Sequence, residues 1–390
     1  MKLLQRRPHF MPGNKISLLK SGTEYFPALE AAIDSAQREI FLETYIFAND
    51  DTGRRIAAAL KRAAQRGVEV HLLLDGFGSK ELSPDFIEAL RGAGVQVLYF
   101  RRDMPLWKFR RHRLRRLHRK LVVVDGRIAF VGGINIIDDI NTPDQTPPRY
   151  DYAVSVEGPL LAVIHRSARR LWALVNWTQF KPYRHRRLFI PKLPEICGNV
   201  RAMLVVRDSI RHRRDIEEAY LRAINAANSE IIIACAYFLP GVNFRRVLAA
   251  AVARGVRVVL LLQGRVEYVL LHYASHALYG TLLDSGVEIH EYHKSFLHAK
   301  VAVVDGHWAT VGSSNIDPFS LVLSREANVV VEDTGFAAEL RQSLDQAMND
   351  GARQVKPSQW KHQPIWLRLK CWLAYGVVRF LMGAVGYSTK

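Results

Sequence analysis

Two histidines, two lysines and two asparagines recur in this chain at one spacing. His118-Arg119-Lys120 is followed by Asp125-Gly126 and by Gly132-Gly133-Ile134-Asn135. Further on stand His298-Ala299-Lys300, Asp305-Gly306 and Gly312-Ser313-Ser314-Asn315. The interval between copies is the same for every member, so a whole structural unit is duplicated, not a loose signature. An imidazole, an ammonium and an amide, each supplied twice, suit a phosphodiester. The lysines stabilise charge on the non-bridging oxygens, and the amides and small-residue backbone add directed donors. One imidazole can attack phosphorus while the other protonates the leaving oxygen and later deprotonates an acceptor. That division of labour needs the two units face to face around one phosphate.

Each motif must sit on a hairpin. Leu121-Val122-Val123-Val124 runs into Asp125-Gly126, and Arg127 to Val131 leads away, which is a strand, turn, strand pattern. A two-residue turn sets His118 opposite Gly133, and by the same count His298 opposite Ser313. Alternation along the strand puts His118 and Lys120 on one face and Arg119 on the other. Lys300 shares its face with His298, and Asn135 and Asn315 lie just beyond the return strands. Asp-Gly is a turn in its own right, so Asp125 and Asp305 serve structure as well as chemistry.

These residues resemble the paired HKD motifs of the phospholipase D superfamily. Gly312 to Ser320 and Glu326-Ala327-Asn328 resemble the bacterial cardiolipin synthases, in particular the shorter type without N-terminal membrane spans. The resemblance runs from about Asn14 to about Asp350. It implies that His118, Lys120, Asp125, His298, Lys300 and Asp305 are catalytic, with His118 the nucleophile, His298 the general acid and base, and no metal or other cofactor. It also implies a carboxylate that orients each histidine through its other ring nitrogen. Glu326 stands at the family's place in the second unit, and Asp151 is its counterpart in the first. Asn135, Asn315, Gly133 and Ser313 are supporting residues. Glu43 joins them because it ends a strand that runs toward the site, although its repeat partner is Ala234.

The repeat extends to the elements that carry the motifs. Arg66 to Leu74 matches Arg254 to Leu262, each after an Ala-rich amphipathic helix, at Ile56 to Gln65 and at Phe244 to Ala253. Upstream, Ala31 to Leu42 matches Ala223 to Ile233, again helix then strand. The expected architecture is α/β: two pseudo-symmetric phospholipase D-type sandwich lobes with the active site at their interface. The expected boundaries are 1–195 for the first lobe, with a basic insertion at 101–117, 196–350 for the second, and 351–390 for a basic and apolar tail.

Charge points to an anionic partner. Lysine plus arginine number 55 against 37 aspartate plus glutamate, a net charge of +18. The insertion interleaves Arg110, Arg111, Arg113, Arg115 and Arg116 with Trp107 and Phe109, as a flap for an anionic phospholipid surface would. The tail around Trp372 is apolar but broken by Arg368, Lys370 and Arg379, which fits an interfacial helix better than a span. A helix packed back on the core is the alternative. The N-terminus resembles neither a signal peptide nor a span, and three cysteines without pairing or metal spacing fit a reducing compartment. The expected location is therefore the cytoplasmic face of the bacterial inner membrane, peripherally bound. The resemblance implies transfer of a phosphatidyl group between two phosphatidylglycerol molecules with no obligate nucleic acid; the motif alone implies phosphodiester exchange. Hydrolysis, as a phospholipase or a nuclease, and a non-catalytic membrane- or nucleic-acid-binding protein stay open. The residues do not specify an oligomeric state.

Overall fold

The computed structural model describes residues 8–101, 115–140, 146–179, 195–208 and 211–384. The first lobe runs β1 (Met11–Lys20), α1 (Ser21–Asp34), β2 (Glu39–Thr44), α2 (Asp51–Gln65), β3 (Glu69–Asp75), α3 (Pro84–Gly92), β4 (Gln96–Phe100), β5 (Arg116–Leu117), β6 (Lys120–Val124), β7 (Ile128–Gly132), β8 (Tyr152–Glu157) and α4 (Leu161–Thr178). The second runs β9 (Val200–Arg207), α5 (Asp215–Ala226), β10 (Glu230–Cys235), α6 (Val242–Ala253), β11 (Arg257–Gln263), α7 (Val269–His276), α8 (Tyr279–Asp284), β12 (Glu288–Tyr292), β13 (Lys300–Val304), β14 (Trp308–Gly312), α9 (Pro318–Leu323), β15 (Ser324–Glu332), α10 (Thr334–Gly351) and β16 (Ala352–Gln354). It ends with α11 (Pro357–Lys361) and α12 (Ile365–Ala384).

The strands form one sheet that crosses both lobes. Its first half is ordered β4-β3-β2-β6-β7-β8-β1 and its second β9-β15-β14-β13-β10-β11-β12, so the two halves mirror each other strand for strand. Equivalent strands β1 and β9 pair antiparallel at the seam, as a two-fold relation requires. Central strands β2, β6, β13 and β14 are buried along their whole length, which explains why β6 and β13 read as continuous apolar runs after their lysines.

Helices cover both faces. On one face α1 to α3 pack over the first lobe and α5 to α8 over the second. On the other, α4 and α10 share a single core with strands of both lobes, from Phe41 and Leu121 to Val301 and Val329. That common core welds the lobes together. The helices form where the sequence places an apolar stripe. In α2 the buried residues Ile56, Ala59, Leu60 and Ala63 follow helical spacing, and Asp50 caps the start by accepting from the Gly53 amide at 2.8 Å.

The hairpin register differs from the sequence expectation by one residue. Arg127 N–H does donate to the Val124 carbonyl, but Val124 pairs with Ile128, and Val304 likewise with Trp308. Asp125 and Gly126 both take positive φ (52° and 60°), as do Asp305 and Gly306 (50° and 63°). After that tight turn the return strand is shifted by one position, as in a bulged hairpin. Lys120 therefore pairs with Gly132, and neither His118 with Gly133 nor His298 with Ser313 is a cross-strand pair.

Candidate active site

Each histidine is anchored by the other lobe. His118 N–H donates to the Arg325 carbonyl at 3.0 Å, and His298 N–H to the Tyr150 carbonyl at 2.8 Å. In each case the next residue is the carboxylate that holds the ring. His118 Nδ1 lies 3.1 Å from Glu326 Oε2 and 3.0 Å from Oε1, and His298 Nδ1 lies 2.6 Å from Asp151 Oδ2. The crossing follows from the seam. Strand β5, two residues before His118, pairs with the start of β15, and Tyr150 bridges to Leu297.

The two carboxylate seats are built from the residues singled out in the glycine-serine positions. A side chain at Gly133 would place its Cβ 2.3 Å from Asp151 Oδ1, so only glycine leaves room for that carboxylate. At the equivalent place Ser313 instead donates its hydroxyl to Glu326 Oε2 at 2.6 Å. Asn135 and Asn315 tie the hairpins to the neighbouring strands, their Oδ1 atoms accepting from Ile46 N (3.1 Å) and Tyr237 N (3.4 Å). With Oδ1 so engaged, the Nδ2 donor is the end of each amide left for a ligand.

Nδ1 of each ring thus faces an anion as donor, which leaves Nε2 with a lone pair. Burial pushes the His118 imidazole below its ordinary range, and Lys120 adds to that. Burial, then Lys300 at 2.8 Å from Nδ1, holds His298 down to about 3. The lysines are themselves buried. Desolvation brings Lys120 down to about 7 despite the attraction of Glu326, and lowers Lys300 despite Asp151. Burial alone would raise the Asp151 carboxyl, but Lys300 and His298 together pull it below the usual value. Each lysine feels the other lobe's charges, so the four groups share one electrostatic site.

Three sequence assignments are corrected. Asp125 and Asp305 do not reach the histidines. Asp125 accepts from the backbone N–H groups of Gln37, Arg38 and Glu39, and Asp305 from those of Asn228, Ser229 and Glu230. They lie at the far end of their hairpins, five residues from the motif lysine or roughly 16 Å along the strand. Glu43 is not at the site either. It forms a buried bidentate ion pair with Arg119 on the reverse face of the motif strand, and Arg119 also reaches Ser167 Oγ at 2.9 Å. In the second lobe both partners are alanine, Ala234 and Ala299, which is why Glu43 has no repeat.

Two residues that sequence reasoning did not assign to the site belong to it. Tyr45 lies against His118, ring centroids 4.9 Å apart, with Lys120 Nζ 5.4 Å from the same ring. Asp75, at the end of β3, accepts from Phe77 and Gly78 and also from Leu117 N–H at 2.7 Å, immediately before His118. Each ends a strand that points at the motif hairpin, and that was the available signal.

Residues 29–145 and 220–348 match a family described as cardiolipin synthase, PLD-like domain. The chain belongs to that cardiolipin synthase family. It is 40% identical over 385 residues to cardiolipin synthase B of Escherichia coli K12, covering 96% of this chain and 90% of the relative. The figures for cardiolipin synthase B of Salmonella typhi are the same. Identity to the major cardiolipin synthase of Bacillus subtilis is 29% over 380 residues, 95% of this chain and 76% of that protein. The fold alone is shared with phosphatidylserine synthase of Haemophilus influenzae, with a TM-score of 0.71 at 13% identity over 97% of both chains. It is also shared with polyphosphate kinase of Porphyromonas gingivalis, with a TM-score of 0.57 at 16% identity over 95% of this chain and 53% of that one.

In this member of the cardiolipin synthase family the basic insertion is described only at Arg101 and from Arg115 onward. Arg115 and Arg116 are half-buried near the lobe seam, with Arg116 over the Phe77 ring at 4.8 Å. Trp107, Phe109, Arg110, Arg111 and Arg113 lie outside the described residues. The tail forms α12, which is both packed and exposed. Cys371, Ala374, Val378 and Met382 bury one stripe against the second-lobe core along α7. Trp366, Leu369, Trp372, Leu373 and Phe380 stand exposed on the other side. Among the described residues no helix is long and apolar enough to cross a membrane.

Proposed function

We propose that the protein is a phosphatidyltransferase that makes cardiolipin and glycerol from two phosphatidylglycerol molecules. The observation that carries the reading is the reciprocal pair of histidine-carboxylate contacts, His118 to Glu326 and His298 to Asp151, with a buried lysine beside each.

His118, neutral and with its proton on Nδ1, offers Nε2 to phosphorus. As the P–N bond forms, the P–O bond to the glycerol head group breaks and that oxygen takes a proton from His298. The substrate's phosphate anion favours the imidazolium that this step needs, reversing the influence of the lysines. Lys120, Lys300 and the two asparagine amides stabilise the charge on the non-bridging oxygens. The hydroxyl of a second phosphatidylglycerol then loses its proton to His298 and attacks phosphorus. The P–N bond breaks, cardiolipin leaves, and both histidines return to their starting states.

The membrane contact follows from α12. Its exposed stripe of Trp366, Leu369, Trp372 and Phe380 is flanked by Arg368, Lys370 and Arg379, a combination suited to the acyl and head-group zones of an anionic bilayer. Exposed Val266, Tyr268, Val269 and Leu270 at the start of α7, against which α12 packs, extend that face. The protein then lies on the inner membrane at its cytoplasmic surface, with the basic insertion as a second contact.

The test is incubation with phosphatidylglycerol vesicles, without metal or nucleotide, and mass spectrometry of the lipids. Cardiolipin with an equal amount of glycerol supports the reading. Phosphatidic acid alone makes the protein a hydrolase and overturns it.

A further inference from the structure

The lobes are not equal at the active site. Counting from the pairs Glu43 with Leu121 and Ala234 with Val301, the position of Tyr45 in the first lobe is that of Ala236 in the second. The hydrogen bonds of Asn135 to Ile46 and Asn315 to Tyr237 give the same alignment. Tyr45 fills the space beside His118. Ala236, whose N–H donates at 3.0 Å to the carbonyl of Ala299 between His298 and Lys300, fills none, and a partly open cleft lined by Ala236, Tyr237, Gln263 and Glu267 lies there.

Polar groups in that cleft lack partners. Gln263 is buried, and its Oε1 faces the Arg265 N–H at 3.4 Å while Nε2 has no partner among the described residues. Its first-lobe equivalent, Asp75, has its carboxylate engaged by three backbone amides. The Tyr237 hydroxyl is also buried without a described partner, its ring 5.6 Å from that of Tyr268. Glu267 stands at the solvent-exposed mouth, near enough for its charge to favour the Lys300 ammonium. A buried amide donor and hydroxyl without partners cost free energy until a ligand satisfies them.

We propose that this cleft is the alcohol subsite, which binds the glycerol head group leaving the donor and then the hydroxyl-bearing head group of the acceptor. Gln263 Nε2 donates to one head-group hydroxyl, and the Tyr237 hydroxyl and Glu267 carboxylate take up the others. This rests on the transferase reading above, because the pocket lies on the side of His298, the group that protonates the leaving alcohol and deprotonates the acceptor. Two head groups take turns in one place, and a pocket filled with polyol leaves less room for a competing water.

Two measurements test it on the full-length protein with Tyr237→Phe, Gln263→Leu and Glu267→Gln, which change size little. Saturation-transfer NMR with glycerol reads occupancy without turnover. The signal expected in the wild type falls in Gln263→Leu and Glu267→Gln; no wild-type signal, or one equal in all variants, overturns the pocket whatever the catalytic result. With phosphatidylglycerol vesicles, the ratio of cardiolipin to phosphatidic acid falls about tenfold for each lost hydrogen bond. An unchanged ratio in a protein that does make cardiolipin overturns the subsite and leaves the transferase reading standing.

Discussion

The Glu326 carboxylate of the second lobe lies 3.1 Å from Nδ1 of His118 in the first, and the Asp151 carboxylate returns the relation to His298 at 2.6 Å. Neither lobe alone holds a complete histidine-carboxylate pair. Glu326→Gln keeps the size of the side chain but loses the anion that fixes the His118 tautomer. Loss of the equivalent anion in a hydrolytic triad costs about 10⁴ in rate, and a fall in kcat of about 10²- to 10⁴-fold is expected here with KM little changed. Steady-state kinetics on mixed vesicles checks it; a KM effect alone would mean that Glu326 acts in binding.

Lys120 gives the pH profile its alkaline limb. Burial holds its pKa at about 7 in the free protein, against an ordinary value of 10.5, and the mechanism needs the ammonium. So kcat/KM falls as pH rises through about 7, whereas the limb in kcat lies higher because bound phosphate favours the charge. For stability the sign is opposite. The fold disfavours the charged lysine, so its penalty is full below pH 7 and is relieved as pH rises from about 7 toward 10.5. Lys120→Arg, charged throughout, loses the limb in kcat/KM; an unmoved limb would assign it elsewhere.

The Glu43–Arg119 pair is a matter of stability. Glu43→Gln leaves a buried guanidinium without its anion and costs about 3–5 kcal/mol. The double variant Glu43→Ala/Arg119→Ala copies the Ala234 and Ala299 pairing of the second lobe and costs less than the sum of the single changes to alanine. Urea unfolding of the four proteins closes the cycle, and additivity would show that the two residues do not interact.

The outer stripe of α12 carries membrane affinity but no core packing. Leu369→Asp with Trp372→Asp leaves the melting temperature within about 2 °C, since exposed sites contribute little to stability. It lowers co-sedimentation with anionic vesicles at least about tenfold, since burying each side chain in the bilayer is worth roughly 1.5–3 kcal/mol. Undiminished sedimentation would move the contact to the insertion.

Much of this was legible because the chain states its site twice. The duplicated motifs gave the lobes, the shared site and the opposite orientation of Arg119, since strand alternation is local. The family resemblance, and not the repeat interval, paired Asp151 with Glu326. The crossing of those carboxylates was not legible, because it depends on the pairing of β1 with β9 and β5 with β15, and seam strands carry no sign of their partner in their own pattern. The one-residue register shift escaped because Asp-Gly marks a turn without fixing how the strands re-pair after it. The resemblance made Asp125 and Asp305 catalytic, whereas their own Asp-Gly pattern marked turns, and strand rise carries them out of reach. The empty place at Ala236 could be read only once Tyr45 was seen against His118.

The most direct test of the paired-histidine account uses a phosphatidyl ester of p-nitrophenol, whose leaving group needs no acid. His298→Ala should release one equivalent of nitrophenolate per protein and then stall, with the phosphatidyl group on the His118 peptide, while His118→Ala releases none. A covalent adduct on His298 in His118→Ala, or continued turnover by that variant, would contradict the account.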